Sequence, residues 1–281
     1  MRPNLTSSLP SSQKKRSVDN NVMLCHLKSL LAHPLTKDLA LDDPRTTELR
    51  AQIIQSKPFL RRIYADWYRL IQSRIPPGDG RVLEIGSGGG CFGEFVPEAV
   101  RSELFFCSNV HVVSDARELP FASGSLKAIA MTDVFHHIPQ SESFLKEALR
   151  CLVPGGRIIM VEPWVCAWSK LVYSRFHHEP FQPQSESWDI PPTGPLSGAN
   201  GALPWIVFVR DRKLLSIKFP ELEIETIEPM MPLRYLLSGG VSMRSLVPGV
   251  LYGPWRALEK AASHWNHQLG MFALFCIRKI P

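Results

Sequence analysis

A doubly wound α/β fold, with a mostly parallel seven-stranded sheet and helices on both faces, is what this sequence predicts, and three observations predict it. Short apolar runs recur at 81–85, 103–107, 110–114, 128–132 and 157–162, separated by turns or helical stretches. Strands that are nearly all apolar are buried on both faces, as in parallel sheets covered by crossover helices. Two further runs, 222–228 and 271–279, bring the strands to seven. The first run ends in Gly86-Ser87-Gly88-Gly89-Gly90, a turn so poor in side chains that a ligand can lie directly against its backbone. With 281 residues, 44% hydrophobic and 21% charged, the chain has the size and composition to fill one core and carry a modest insertion.

Residues 1–20 are rich in Ser, Pro and Lys and almost free of apolar side chains, which predicts a disordered basic tail. The Lys14-Lys15-Arg16 run leaves an address or an anionic partner open. Residues 21–80 read as an N-terminal helical cap with weak breaks at His33-Pro34 and Asp43-Pro44, where Asp43 can cap a helix beginning on Pro44. Phe59, Ile63, Trp67 and Leu70 recur at helical spacing and predict a face packed on the core. The breaker at 75–80, IPPGDG, then feeds the first strand.

A helix is expected after the glycine turn, through about Val96, with its amino-terminal N–H groups and dipole facing that turn. Eleven residues separate Glu103 from Asp115, so the second crossover shrinks to a loop and the third strand. Phe144, Leu145, Ala148 and Leu149 predict a helix over 141–151, closed by Pro154-Gly155-Gly156. Residues 81–281 thus form one domain with an aromatic lid insertion at about 163–210, carrying Trp164, Trp168, Tyr173, Phe176, Phe181, Trp188 and Trp205. A loop and a helix around 254–268 join the last two strands.

The net charge is +6, but Arg2, Lys14, Lys15 and Arg16 against Asp19 place half of it in the tail. The remainder is too small for a nucleic-acid footprint. Six cysteines stand singly, with no CxxC pair and no zinc-type histidine spacing, so neither structural disulfides nor a metal site is expected. That usage fits a reducing, cytoplasmic setting. No run resembles a signal-peptide core or approaches the ~20 apolar residues that span a bilayer.

Over 84–90 the pattern is E-x-G-x-G-x-G, whereas the dinucleotide fingerprint G-x-G-x-x-G would need a small residue where Cys91 stands. With SDARELPF at 114–121, TDVFHHI at 132–138 and LVPGGRIIMVEP at 152–163, this stretch resembles the class I S-adenosylmethionine-dependent methyltransferases. The resemblance is strongest to the small-molecule group that includes the ubiquinone and menaquinone enzymes, and it covers about 82–163. It implies a Rossmann-like fold and S-adenosyl-L-methionine as cofactor. It places the cofactor's methionine end along Glu84, Gly86, Ser87, Gly88 and Gly90, and both ribose hydroxyls on Glu103. The adenine would lie beside Asp115 and Ala116, and Asp133 near cofactor and substrate.

The residue types suit these roles on their own chemistry. A carboxylate accepts two hydroxyl hydrogen bonds, and the face of Phe135 can pack on adenine or attract the positive charge of a sulfonium. Plainer readings stand beside each: a tight turn at 86–90, a surface carboxylate at Glu103, a turn cap at Asp115, a helix cap at Asp133. Methyl transfer needs a general base where the acceptor must lose a proton, and His136 and His137, after the fourth strand, are the candidates. The alternative is one capping and one packed histidine. Glu162 and the pair His177-His178 are further candidates. Arg234 can hold an acceptor carboxylate or phosphate, or pair with an acid of the fold. The aromatic lid suits a small acceptor that is apolar, planar or lipid-like. A methyltransferase-like binding protein without turnover and a nicotinamide-dependent oxidoreductase are the competing readings.

Overall fold

The computed structural model describes residues 33–35, 42–43, 45–177, 179–190, 194 and 198–280. The expected basic tail, most of the cap before residue 42, and Pro44 lie outside the described residues. What remains of the cap is helix α1, Arg45–Ser56, and helix α2, Pro58–Gln72. The Asp43 carboxylate accepts the Arg45 N–H at 3.0 Å where α1 begins. Pro58 suits the first turn of α2, where a missing N–H costs nothing, and Lys57 before it is extended, as a residue preceding proline prefers. Along one stripe α2 buries Phe59, Leu60, Ile63, Tyr64, Trp67, Tyr68 and Ile71.

Seven strands follow: β1 Arg81–Ile85, β2 Val100–Glu103, β3 Val112–Val113, β4 Leu126–Thr132, β5 Leu152–Pro163, β6 Leu222–Met230 and β7 Phe272–Lys279. They form one sheet in the order β3-β2-β1-β4-β5-β7-β6. The neighbours among β1 to β5 pair in parallel, and β7 runs antiparallel between β5 and β6. The chain leaves β1 toward β2 on one side and reaches β4 on the other. That reversal opens a crevice beyond the carboxyl ends of β1 and β4.

Two expectations are corrected here. The second strand ends at Glu103 instead of beginning there, because 83–85 pair with 100–102. Leu104 and Phe106 fall outside the sheet and are exposed, and a short apolar run near a sheet edge does not announce its own register. Nor does an α-helix follow the glycine turn: a single 3-10 turn, Phe92–Glu94, takes its place. Gly93 carries a high backbone-entropy cost in a helix, and Pro97 lacks an N–H and disfavours helical backbone at Val96, so the stretch is too short to close a stable helical nucleus.

Helix α2 covers the face that this missing crossover helix would have covered. Val82, Ala128, Ala130, Ile159, Val161 and Leu274 of the sheet join Ile63, Trp67, Tyr68 and Ile71 in one core. Leu83, Ile129, Met131, Ile158, Met160 and Phe275, alternating with them, join the residues of helix α3, Ser141–Cys151, and of the helical stretch 203–218 in the other. Each buried aromatic removes roughly 150–250 Å² from water, so α2 is held by several kcal/mol of apolar burial.

The segment 163–210 is more core than lid. Trp164 and Trp188 are buried, and the Trp188 indole donates to Asp211 at 2.8 Å. Helix α4, Ala167–Phe176, is the part that brings Tyr173 and Phe176 to the crevice. No helix among the described residues is long and apolar enough to cross a membrane.

Candidate functional site

A cavity of about 670 Å³ opens at the carboxyl ends of β1 to β4. Of the residues singled out in the sequence, Gly86, Gly88, Gly90, Glu103, Asp115, Ala116, Asp133 and His137 line it. Glu84, Ser87, Phe135 and His136 do not.

The turn after β1 is bare for two reasons, access and packing. Gly86 has φ +72°, in the left-handed region, and a Cβ there would lie 2.3 Å from Val134 Cγ2. A Cβ on Gly88 would stand 2.6 Å from Thr47 Cγ2 and 2.8 Å from Glu103 Oε2, and one on Gly90 2.1 Å from the Tyr68 hydroxyl. The buried Ser87 ties the turn to β2 by donating its N–H to the Ser102 carbonyl at 3.0 Å. Glu84 lies behind the turn, 4% exposed, and burial pushes its carboxyl up to about 7.

At the tip of β2 the Glu103 carboxylate accepts the Gly88 N–H at 3.0 Å and the Leu104 N–H at 2.8 Å. Each oxygen keeps lone pairs for a further donor. Burial raises its pKa against the pull of those two N–H groups. At the tip of β3, Arg117 binds both oxygens of Asp115, at 2.6 to 3.1 Å, and holds that carboxyl below its ordinary value. Beside it Ser114 lines the cavity with a buried Oγ that has no hydrogen-bond partner among the described residues. A buried hydroxyl left unsatisfied is an invitation to a polar ligand. Asp133, the residue after β4, holds φ +62°, a strained conformation for a residue with a side chain.

The two adjacent histidines have opposite fates. His136 is 1% exposed, with Nδ1 2.6 Å from Glu162 Oε2 and Nε2 3.3 Å from Glu179 Oε2. Burial alone would lower its pKa, but the charge and hydrogen bond of Glu162, with Glu179 and Asp133, hold it well above the ordinary value. Glu162 also accepts the N–H groups of Val134 and Phe135, at 2.8 and 2.7 Å, and so fixes the 3-10 turn Phe135–His137. His137 faces the cavity, and burial followed by the neighbouring His136 charge takes its pKa down to about 3. It is a neutral imidazole with Nδ1 3.2 Å from the Gly198 carbonyl.

The fold also gathers His136, His137 and Glu179, and Asp133, His136 and Glu162, within 4.8 Å of one another. An imidazole whose two nitrogens both face carboxylates keeps its protons and offers no lone pair to a cation.

Phe135 is fully buried between Phe144 and Phe208, at ring distances of 5.9 and 5.3 Å, so it belongs to the core and lies away from the cavity. Arg234 is consumed within the fold by Glu259, by Asp66 at 3.1 Å and by the Tyr252 hydroxyl at 2.7 Å. Sequence reasoning missed Thr47 and Arg50 of α1, Ser114, Glu179 and the ring of Tyr64, which line the cavity together with the lid residue Tyr173 and with Tyr235. Only contact across the fold reveals these; the Ser114-Asp115 adjacency was the one local signal.

Residues 94–160 match a sequence family described as a methyltransferase domain. No curated protein matches the sequence. Among solved structures, geranyl diphosphate C-methyltransferase from Streptomyces coelicolor A3(2) is similar at 14% identity over 92% of this chain and 92% of that one, with a TM-score of 0.50. That protein was seen with Mg²⁺, geranyl-S-thiolodiphosphate and S-adenosyl-L-homocysteine. An S-adenosylmethionine-dependent methyltransferase from Mesorhizobium loti is similar at 12% identity over 75% of this chain and 96% of its own, with a TM-score of 0.42. Phosphoethanolamine N-methyltransferase 2 from Haemonchus contortus is similar at 15% identity over 77% and 52%, with a TM-score of 0.41. At these identities the likeness is one of fold.

Proposed function

We propose that this chain is a class I S-adenosylmethionine-dependent methyltransferase that binds S-adenosyl-L-methionine over the glycine turn and directs methyl transfer to a small, largely apolar acceptor. One observation carries the reading: the bare backbone of Gly86–Gly90 and the Glu103 carboxylate meet at one end of a single large cavity. The residues fit such a cofactor. Glu103 has oxygens to accept ribose hydroxyls, and the unsatisfied Ser114 Oγ sits beside Asp115 where a purine would lie.

When bound, the cofactor supplies a methyl group activated on a sulfonium, open to in-line attack. The protein's part is to orient the acceptor and exclude water. The faces of Tyr64, Tyr173 and Tyr235 give the far wall an apolar, electron-rich surface that favours positive charge. Val172, Tyr173 and Phe176 of α4 close that side against solvent. His137 sets Nδ1 3.2 Å from the Gly198 carbonyl and Nε2 3.7 Å from Glu179 Oε1, so its ring is held on the cavity wall. Its depressed pKa suits it to orienting an acceptor's O–H or N–H more than to storing the proton. His136, already protonated between two acids, holds the floor.

A nicotinamide dinucleotide fits less well. Its pyrophosphate needs the amino terminus of a helix after the first glycine turn, and a single 3-10 turn stands there. The test of turnover is transfer of labelled methyl from S-adenosylmethionine to a fractionated metabolite extract. Label in a low-molecular-weight product supports the enzyme reading. Binding of S-adenosylhomocysteine without label transfer to any fraction would favour a binding protein instead.

A further inference from the structure

Among the described residues, one guanidinium on the cavity wall, that of Arg50, is left without a hydrogen-bond or ion-pair partner. Helix α1 lies across the glycine turn, so that a Cβ on Gly89 would stand 3.1 Å from both Arg50 Cβ and Ala51 N. Thr47, Arg50 and Ile54, three and four residues apart, present one helical stripe to the cavity. Among the described residues Arg50 makes no hydrogen bond or ion pair. The other arginine on the wall, Arg117, is occupied by both oxygens of Asp115 and by Gln140 at 3.0 Å. The Arg50 charge reaches across the site to Glu103, Asp133 and His137. A half-buried guanidinium has given up part of its water, and an anion is the partner that returns most of that cost.

A cofactor lying with its amino-acid end on Gly86–Gly90 carries a carboxylate directly under this helix. We propose that Arg50 binds that α-carboxylate, and that α1 is thereby a clasp closed by the cofactor itself. The inference rests on the proposed methyltransferase reading and goes beyond it, because it assigns the cofactor's anionic end to an element outside the sheet. The remainder of α1 is lightly anchored, with Thr46, Thr47, Ile53 and Ile54 as its buried residues. A helix with so little apolar burial opens at low cost, and a bidentate ion pair at its centre changes that balance.

The test compares two ligands that differ at the anionic end. S-adenosylhomocysteine carries the carboxylate, and 5′-methylthioadenosine keeps the adenine, ribose and sulfur without it. Calorimetric titration of the full chain and of Arg50→Met should show at least tenfold weaker S-adenosylhomocysteine binding in the variant and methylthioadenosine affinity within twofold of wild type. Arg50→Lys should fall between, since lysine keeps the charge without the fork. Backbone hydrogen exchange over 45–56 should slow on adding S-adenosylhomocysteine to the wild-type protein and stay unchanged in Arg50→Met. Unaltered S-adenosylhomocysteine affinity in Arg50→Met, or equal losses for both ligands, would overturn the clasp while leaving the methyltransferase reading intact. A wild-type chain that binds neither ligand would overturn both.

Discussion

The Gly88 N–H donates to Glu103 Oε2 at 3.0 Å, so the tip of β2 is latched to the turn that leaves β1. One side chain therefore shapes the turn and presents carboxylate oxygens to whatever lies on it. Glu103→Ala should weaken S-adenosylhomocysteine binding by about 10- to 100-fold, the loss expected of hydrogen bonds to a charged group. Titration calorimetry reads the effect. An unchanged affinity would mean that Glu103 serves the turn alone.

Gly90 and Tyr68 offer a sharper structural test. A methyl group at 90 would sit 2.1 Å from the Tyr68 hydroxyl but 3.3 Å from the Tyr68 Cζ. Gly90→Ala should therefore cost about 1–3 kcal/mol of stability by overpacking. Tyr68→Phe in the same chain should recover most of that loss, as measured by denaturant unfolding. Additive losses in the double variant would contradict the described contact.

Phe135 separates core from cavity. With its ring buried against Phe144 and Phe208, Phe135→Ala should destabilise the chain by about 3–5 kcal/mol. The folded fraction should bind S-adenosylhomocysteine as wild type does. A selective loss of binding, with stability preserved, would restore Phe135 to the ligand surface.

Glu84 gives a pH signature. Its carboxyl is raised from the ordinary 4.5 to about 7, so the native state holds a proton that the unfolded chain releases. Its stabilising contribution is present below pH 4.5 and is lost as pH rises through 7. Glu84→Gln removes the cost of ionising that buried group, and should raise the melting temperature by a few degrees at pH 8 and little at pH 4.5. Equal shifts at both pH values would sink this assignment.

The sheet was legible in the sequence because its strands are continuous apolar runs, and the glycine turn because backbone exposure leaves a compositional mark at 86–90. Glu103, Asp115 and Asp133 were legible as carboxylates at expected strand ends, although the strand leading to Glu103 was misplaced. Edge pairing with 83–85, rather than apolar content, decides where β2 lies, which is why Phe106 reads as strand and is 82% exposed. The helix after the turn was expected from the alternation of strands and helices, and it fails on local chemistry at Gly93 and Pro97. His136 and His137 are indistinguishable as a sequence pair, yet one 3-10 turn sends the first to Glu162 and the second to the cavity. Arg50 was invisible, since an arginine on a polar helix looks like any solvated surface until α1 is seen across the glycines.

The central claim is that a sulfonium nucleoside lies on the backbone between Gly86 and Gly90. Titration of the wild-type protein with S-adenosylhomocysteine, with NADH as the control, tests it most directly. The account predicts saturable stabilisation by S-adenosylhomocysteine and none by NADH. Stabilisation by NADH with no response to S-adenosylhomocysteine would contradict it.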